Sequence, residues 1–179
     1  MKTLLALMCA LLFSTSLLAG TRAFNLSLTP NIAVYDRSDT IEGLTLSIWG
    51  ENPQTSLALG IANGSTWNSA GLSWGFLLNY ADNYKGIHWA PINYTTGDFL
   101  GWQGGLINYT DDTMKGLQSG VVNYAGKLTG LQFGFVNFAE SADAGVQIGL
   151  VNIIRENTHW FTGLPEELAP GMIFVNWRF

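Results

Sequence analysis

Two histidines, one serine and an acidic pair are the residues of this chain whose types could do chemistry. His88 and His159 are the only histidines. A hydroxyl nucleophile needs a base beside it, and Ser73 holds the place one repeat before His88 on the same side of a strand pattern. No acid accompanies the two, and later copies of the repeat carry Gln where His88 stands, so a polar side chain facing the inside of a barrel is the simpler reading. Asp111 and Asp112 could begin a cation site, but successive strand residues point to opposite sides. They read as an acidic turn. Cys9 is the single cysteine and lies in an N-terminal apolar run, so thiol catalysis, disulfides and cysteine metal sites drop out together. No catalytic residue, cofactor or metal ligand is expected, and the chain reads as non-enzymatic.

The elements that would carry these residues are announced by composition. The chain has 179 residues with 21 Gly, 7 Trp, 6 Tyr and 10 Phe, and only 12% of it is charged. That balance suits an all-β or repeat protein of one domain better than a helical enzyme. With 8 basic against 13 acidic residues, a nucleic-acid partner is excluded, because phosphate contacts need clustered Lys and Arg.

Residues 1–23 show one positive charge at Lys2, an apolar run from Leu4 to Leu18 and small residues after it, the layout of a secretory signal peptide. Cleavage is expected near Ala23, with Ala19 and Gly20 as other choices. Removal of Lys2 and Arg22 with this segment leaves 6 basic against 13 acidic residues, a formal charge of −7. At the far end, residues 171–179 alternate: Ile173, Val175, Trp177 and Phe179 share one strand face. This closing strand resembles that of bacterial outer-membrane β-barrels, which ends in Phe and is read by the outer-membrane assembly machinery. The resemblance makes those four residues an assembly signal.

Between the ends runs a repeat over residues 43–153. Its clearest units are GLSWGFLLNY, GIHWAPINY, GWQGGLINY, GLQSGVVNY, GLQFGFVNF and GVQIGLVNI, which start at Gly71, Gly86, Gly101, Gly116, Gly130 and Gly145. The spacing is 15 residues, with one step of 14. The wording resembles a family of bacterial surface-repeat proteins built from GLQxGLVN-like units behind a signal peptide. What the resemblance implies is a cell-surface or outer-membrane location, without a chemistry.

Within a unit, large apolar residues alternate with small and polar ones: Leu131, Phe133 and Phe135 against Gln132 and Gly134. Asn, followed in most units by an aromatic, closes each unit, and Asn, Asp and Gly favour turns. From Ser56 to Ile153 every charged residue lies in a connector, from Asp82 and Lys85 to Glu140 and Asp143. A soluble antiparallel sheet normally carries charge on its wet face, so lipid against the apolar face accounts for the pattern. Nine strand residues tilted by about 40° cover roughly 23 Å, the height of an outer-membrane barrel's apolar band. These observations predict an antiparallel up-and-down β-barrel of about ten strands over residues 24–179. Its hairpins would be short because parallel pairing demands a long crossover.

In that barrel Ser73, His88, Gln103, Gln118, Gln132 and Gln147 face the lumen, Tyr and Phe at the strand ends form interfacial girdles, and Pro91 needs a bulge. Function then reads as an integral outer-membrane protein, structural or weakly pore-forming, with outer-membrane lipid as its partner. The competing architecture is a β-solenoid of 15-residue coils, with Asn and Gln in ladders along the stack. That architecture would suit a secreted or surface-attached adhesin or matrix module. An enzyme acting on lipid would rest on His88 alone.

Overall fold

The computed structural model describes residues 20–179, so the predicted signal segment lies largely outside the described residues. The described chain is all β-strand and turn, and it winds into a β-solenoid of about seven turns. The barrel expectation is thereby corrected. Strands β1 (Thr21–Thr29), β3 (Thr40–Asn52), β4 (Thr55–Trp89), β5 (Ile92–Thr95), β6 (Phe99–Gly104) and β7 (Ile107–Ile154) form one stack and pair with one another in parallel. Register follows the repeat: Asn93 pairs with Asn108, His88 with Gln103 and Gln103 with Gln118.

The crossover argument failed because the repeat unit is not one straight strand. Each unit bends after its fourth residue, at Ala90-Pro91 and at Gly105-Leu106. Alternation breaks at the bend: Leu106 and Ile107 both point outward, as do Val121 and Val122. Two short strand segments and the polar connector thus close a three-sided coil, and the coil itself serves as the parallel crossover. Pro91 needs no bulge. It occupies the corner, where its carbonyl accepts from both Leu106 N and Ile107 N at 2.9 Å.

The first glycine of most units turns the other corner, and at the Gly145 unit the preceding Ala144 is the left-handed residue instead. Gly71, Gly86, Gly101, Gly116 and Gly130 have φ between 121° and 141°. A Cβ on Gly101 would stand 1.9 Å from the Gly86 carbonyl oxygen. Only glycine allows both the left-handed backbone and that approach.

Both ends of the stack are covered. The short strand β2 (Ile32–Ala33) pairs antiparallel with β1, and β8 (Gly171–Arg178) pairs antiparallel with the last coil, Gly145 opposite Arg178 and Ile148 opposite Val175. The first and last strands do not meet, as a closed barrel would require, so Ile173, Val175, Trp177 and Phe179 belong to an end cap. Before β8 the loop of residues 155–170 folds over the stack on the buried carboxylate of Glu167. This group accepts from Arg178 Nη1 at 2.5 Å and pairs with His159 Nδ1 at 2.5 Å. The His159 hydrogen bond, first of several, holds Glu167 below the usual carboxylate range.

Candidate functional site

The inside of the coil is polar along two of its columns. Gln103, Gln118, Gln132 and Gln147 are fully buried, one above the next. Each later residue donates from Nε2 to the Oε1 of the one before, at 2.8 Å for all three steps. A second column, from Asn63 through Asn79, Asn93, Asn108, Asn123 and Asn137 to Asn152, donates in the opposite sense, from each Nδ2 to the following Oδ1 at 2.8–3.1 Å. The two amide columns therefore oppose their dipoles. In the later coils the remaining amide hydrogen goes to backbone, Gln132 Nε2 to the Phe138 carbonyl at 3.1 Å and Asn123 Nδ2 to the Phe133 carbonyl at 3.1 Å, whereas Gln103 Nε2 donates to Thr95 Oγ1 at 3.1 Å. Such bonds net about 0.5–1.5 kcal/mol each but cost more when one partner is removed.

Apolar residues fill the third inward column. Phe99, Met114 and Leu128 stack against Ala125, Ala139 and Ala142 in a narrow core. The Asn and Gln columns are the ladders expected of the solenoid alternative, whereas the barrel reading takes Asn as a turn former.

The predicted lumen residues are accordingly interior ones. Ser73, His88 and the four glutamines are all inaccessible to solvent, with no open pore between them. His88 packs against Tyr84 and Phe99, ring centroids 4.0 and 5.1 Å away. Neither of its ring nitrogens has a partner among the described residues. Burial pulls its pKa down to about 3, so the ring is neutral. The Ser73 hydroxyl donates to Asn79 Oδ1 at 2.9 Å and makes no hydrogen bond with His88. The serine–histidine arrangement is not assembled.

What the coil excludes from its interior it places outside. The segment before the bend presents Trp74, Trp89, Phe133 and Ile148; the bend presents Phe76, Leu106, Phe135 and Leu150; the segment after it presents Ile92, Ile107, Val136 and Val151, all exposed. Phe76, Phe133 and Phe135 are 68%, 57% and 58% exposed. Beside them Tyr94, Tyr109, Tyr124 and Phe138 stack face to face at 4.4–5.5 Å. These aromatics are a column on one outer face and not girdles at two interfaces. In the later coils charges occupy the third side, where Lys127 meets Asp143 at 2.5 Å and Arg155 meets Glu140 at 2.9 Å across successive coils, whereas at the N-terminal end Glu51 stands in the aromatic column, accepts from Tyr80 Oη at 2.7 Å and pairs with Arg37. The two later pairs are exposed and contribute little. The cross-section is a wedge: two apolar faces, uncharged beyond the Glu51–Arg37 pair of the first coils, meet at the bend, and one charged face closes the triangle.

Along the bend the side chains leave two hollows. The N-terminal one, about 580 Å³, runs between Trp74, Trp89 and Trp102 on one wall and Phe76 and Leu106 on the other. The C-terminal one, about 410 Å³, lies between Phe133 and Ile148 and Phe135 and Leu150, with Phe174 at its edge. Among the described residues no cluster of His, Asp and Glu forms a metal site and no helix is long and apolar enough to cross a membrane. Comparison with protein-family models, curated proteins and solved structures finds no match.

Proposed function

We propose that the chain is an exported, non-enzymatic surface module, a β-solenoid that attaches itself to outer-membrane lipid by its apolar wedge. The observation that carries this reading is the inversion of the coil: amides inside, aromatic and aliphatic side chains outside on two adjoining faces. Monomeric proteins in water seldom expose apolar patches beyond a few hundred Å². Seven coils at about 4.8 Å each give an apolar wedge about 34 Å long. Lipid suits such faces because hydrocarbon asks for no hydrogen bonds. Tryptophan and tyrosine among the exposed side chains suit the boundary where an apolar body and a polar tip are both served. The GLQxGLVN-like wording and the layout of residues 1–23 support export and a surface location, and the acidic charge argues for attachment without help from basic residues.

Flotation with phosphatidylcholine vesicles tests this. The protein is expected to float with the vesicles as well at high salt as at low salt, since no cationic patch contributes. The double variant Ile107→Asp/Val122→Asp places two carboxylates on the face beyond the bend and should remain in the bottom fraction. Wild type left at the bottom of the gradient, or a variant that floats equally, would remove the lipid reading and favour an adhesin that binds protein.

A further inference from the structure

We infer that the C-terminal edge of the stack is a docking site for a second copy of the chain, joined strand to strand along β8. The joint relies on backbone hydrogen bonds at one end of the stack and is independent of the lipid reading of the wedge.

Alternate residues of an antiparallel strand turn their N–H and C=O groups toward and away from the neighbouring strand. The Pro170 carbonyl accepts from Ile154 N at 3.2 Å, whereas Leu168 N donates to the Trp177 carbonyl at 3.3 Å and Phe179 N to the Glu166 carbonyl at 2.8 Å. Pro170 thus faces β7, and Trp177 and Phe179 face away. By the same alternation Gly171, Ile173 and Val175 face away too, and no backbone group among the described residues meets them there. Ile173, Phe174 and Val175 are 61%, 67% and 36% exposed, so the loop of residues 155–170 leaves this edge open.

The two ends of the stack differ in this respect. At the N-terminal end β2 pairs with β1, Val34 N donates to the Leu26 carbonyl at 3.0 Å, and Arg22 and Arg37 pair with Asp39 and Glu51. Cover and charge of this kind keep a strand edge from pairing with another chain. From Gly171 to Val175 there is no charge, and a bare apolar edge is a template for a further strand.

A second copy is the occupant that this end fits, because the edge is complementary to itself. Paired antiparallel about a two-fold axis at Ile173, β8 sets Ile173 opposite its own equivalent and Gly171 opposite Val175, and every outward N–H of the three residues meets an outward C=O. The side chains fit as well. Beside Gly171 lies a hollow of about 410 Å³ lined by Val151, Ile153, Trp160, Met172 and Ile173, and the missing side chain at Gly171 leaves room there for Val175 of the second copy. β8 follows the last coil round its bend, with Phe174 opposite Gly149, so the axis stands beside the bend. Rotation about it brings the face before the bend of one copy into line with the face after the bend of the other. Both faces are apolar, so the wedge continues through the joint, and the Arg37–Glu51 pairs come to lie at the two far ends.

Sedimentation equilibrium of the full chain, without lipid, tests the joint. A monomer–dimer equilibrium that goes no further is expected, because a two-fold joint uses up both edges. Ile173→Lys places two ammonium groups opposite each other at the axis and should leave only monomer, as should Ile173→Glu with two carboxylates. An equal mixture of the two variants should restore the dimer. Ile173 is exposed, so the far-UV circular dichroism of both variants should match wild type. The Ile107→Asp/Val122→Asp variant is altered on the wedge, away from the edge, and should dimerise like wild type. Wild type that stays monomeric up to its solubility limit, a dimer that both Ile173 variants keep, or a mixture that stays monomeric would overturn the proposal. A dimer lost in the Ile107→Asp/Val122→Asp variant would overturn it too, and would assign association to the apolar wedge.

Discussion

The coils before Gly101 and the coils after it are built from the same unit and solve the same interior differently. From Gln103 to Gln147 the third residue of the unit is always glutamine, and the amides form an unbroken chain. In the earlier coils that position is Thr45, Ala58, Ser73 and His88. There the polar groups find local partners, Thr45 on Gln54 Oε1 and Ser73 on Asn79 Oδ1, or none, as at His88. Aromatic rings fill the space instead, with Tyr84 and Phe99 stacked at 5.8 Å around the imidazole. The asparagine column runs through both regions and joins them. An amide ladder depends on identity between successive coils, because each side chain accepts on one side and donates on the other. One foreign residue therefore removes two rungs.

The largest effect that would break this comparison comes from putting a charge into the ladder. Gln132→Arg buries a guanidinium between Gln118 and Gln147 and should cost more than about 4 kcal/mol, enough to prevent folding. Its neighbour Phe133→Arg lies on the exposed face and should change stability in water by less than about 0.5 kcal/mol. In a barrel the order would be reversed, with Phe133 at the bilayer midplane. Urea denaturation of the two variants decides between the orders.

A smaller effect sharpens the contrast between the regions. His88→Gln extends the ladder by one rung and should raise stability by about 1 kcal/mol at neutral pH. It should also change the response to acid. The folded pKa of His88 is about 3 and lies below its ordinary value of 6.5, so below pH 6.5 the unfolded chain takes up a proton that the folded chain refuses. Stability should fall as pH drops through this window, by up to about 1.4 kcal/mol per pH unit. Glu167 is shifted down from 4.5, so its contribution is present above that value and fades only at lower pH. Denaturation midpoints between pH 6.5 and 4.5 thus isolate the imidazole, and His88→Gln should flatten them. An unchanged slope would mean that the His88 coil opens to water.

The smallest effect belongs to the end cap. Phe179 is exposed and is held by a backbone hydrogen bond to the Glu166 carbonyl at 2.8 Å. Deleting it should lower stability by no more than about 1 kcal/mol. Loss of folded, membrane-associated protein far beyond that, against an Asp112→Ala control, would show that Phe179 is read by assembly machinery.

The repeat of 15 residues, the strand-forming alternation and the confinement of charge to the connectors were all legible in the amino-acid order, because each is a property of local spacing. So was the set of residues that share one column: Gln103, Gln118, Gln132 and Gln147 stand together in a barrel lumen and in a solenoid interior alike. What alternation does not contain is which of its two sides becomes the inside. That was decided by the bend at positions such as Gly105-Leu106, where two successive residues turn outward, and by the left-handed glycines that allow coils to approach within a carbonyl's reach. Once the coils stack in register, the amides of Asn123 and Gln132 meet their own kind above and below. Burying them then satisfies their donors, whereas turning Phe133 and Phe135 inward would add two rings to coils whose core is already filled by Leu128, Ala139 and Ala142. The tertiary structure thus placed the polar side within and left the apolar side facing outward.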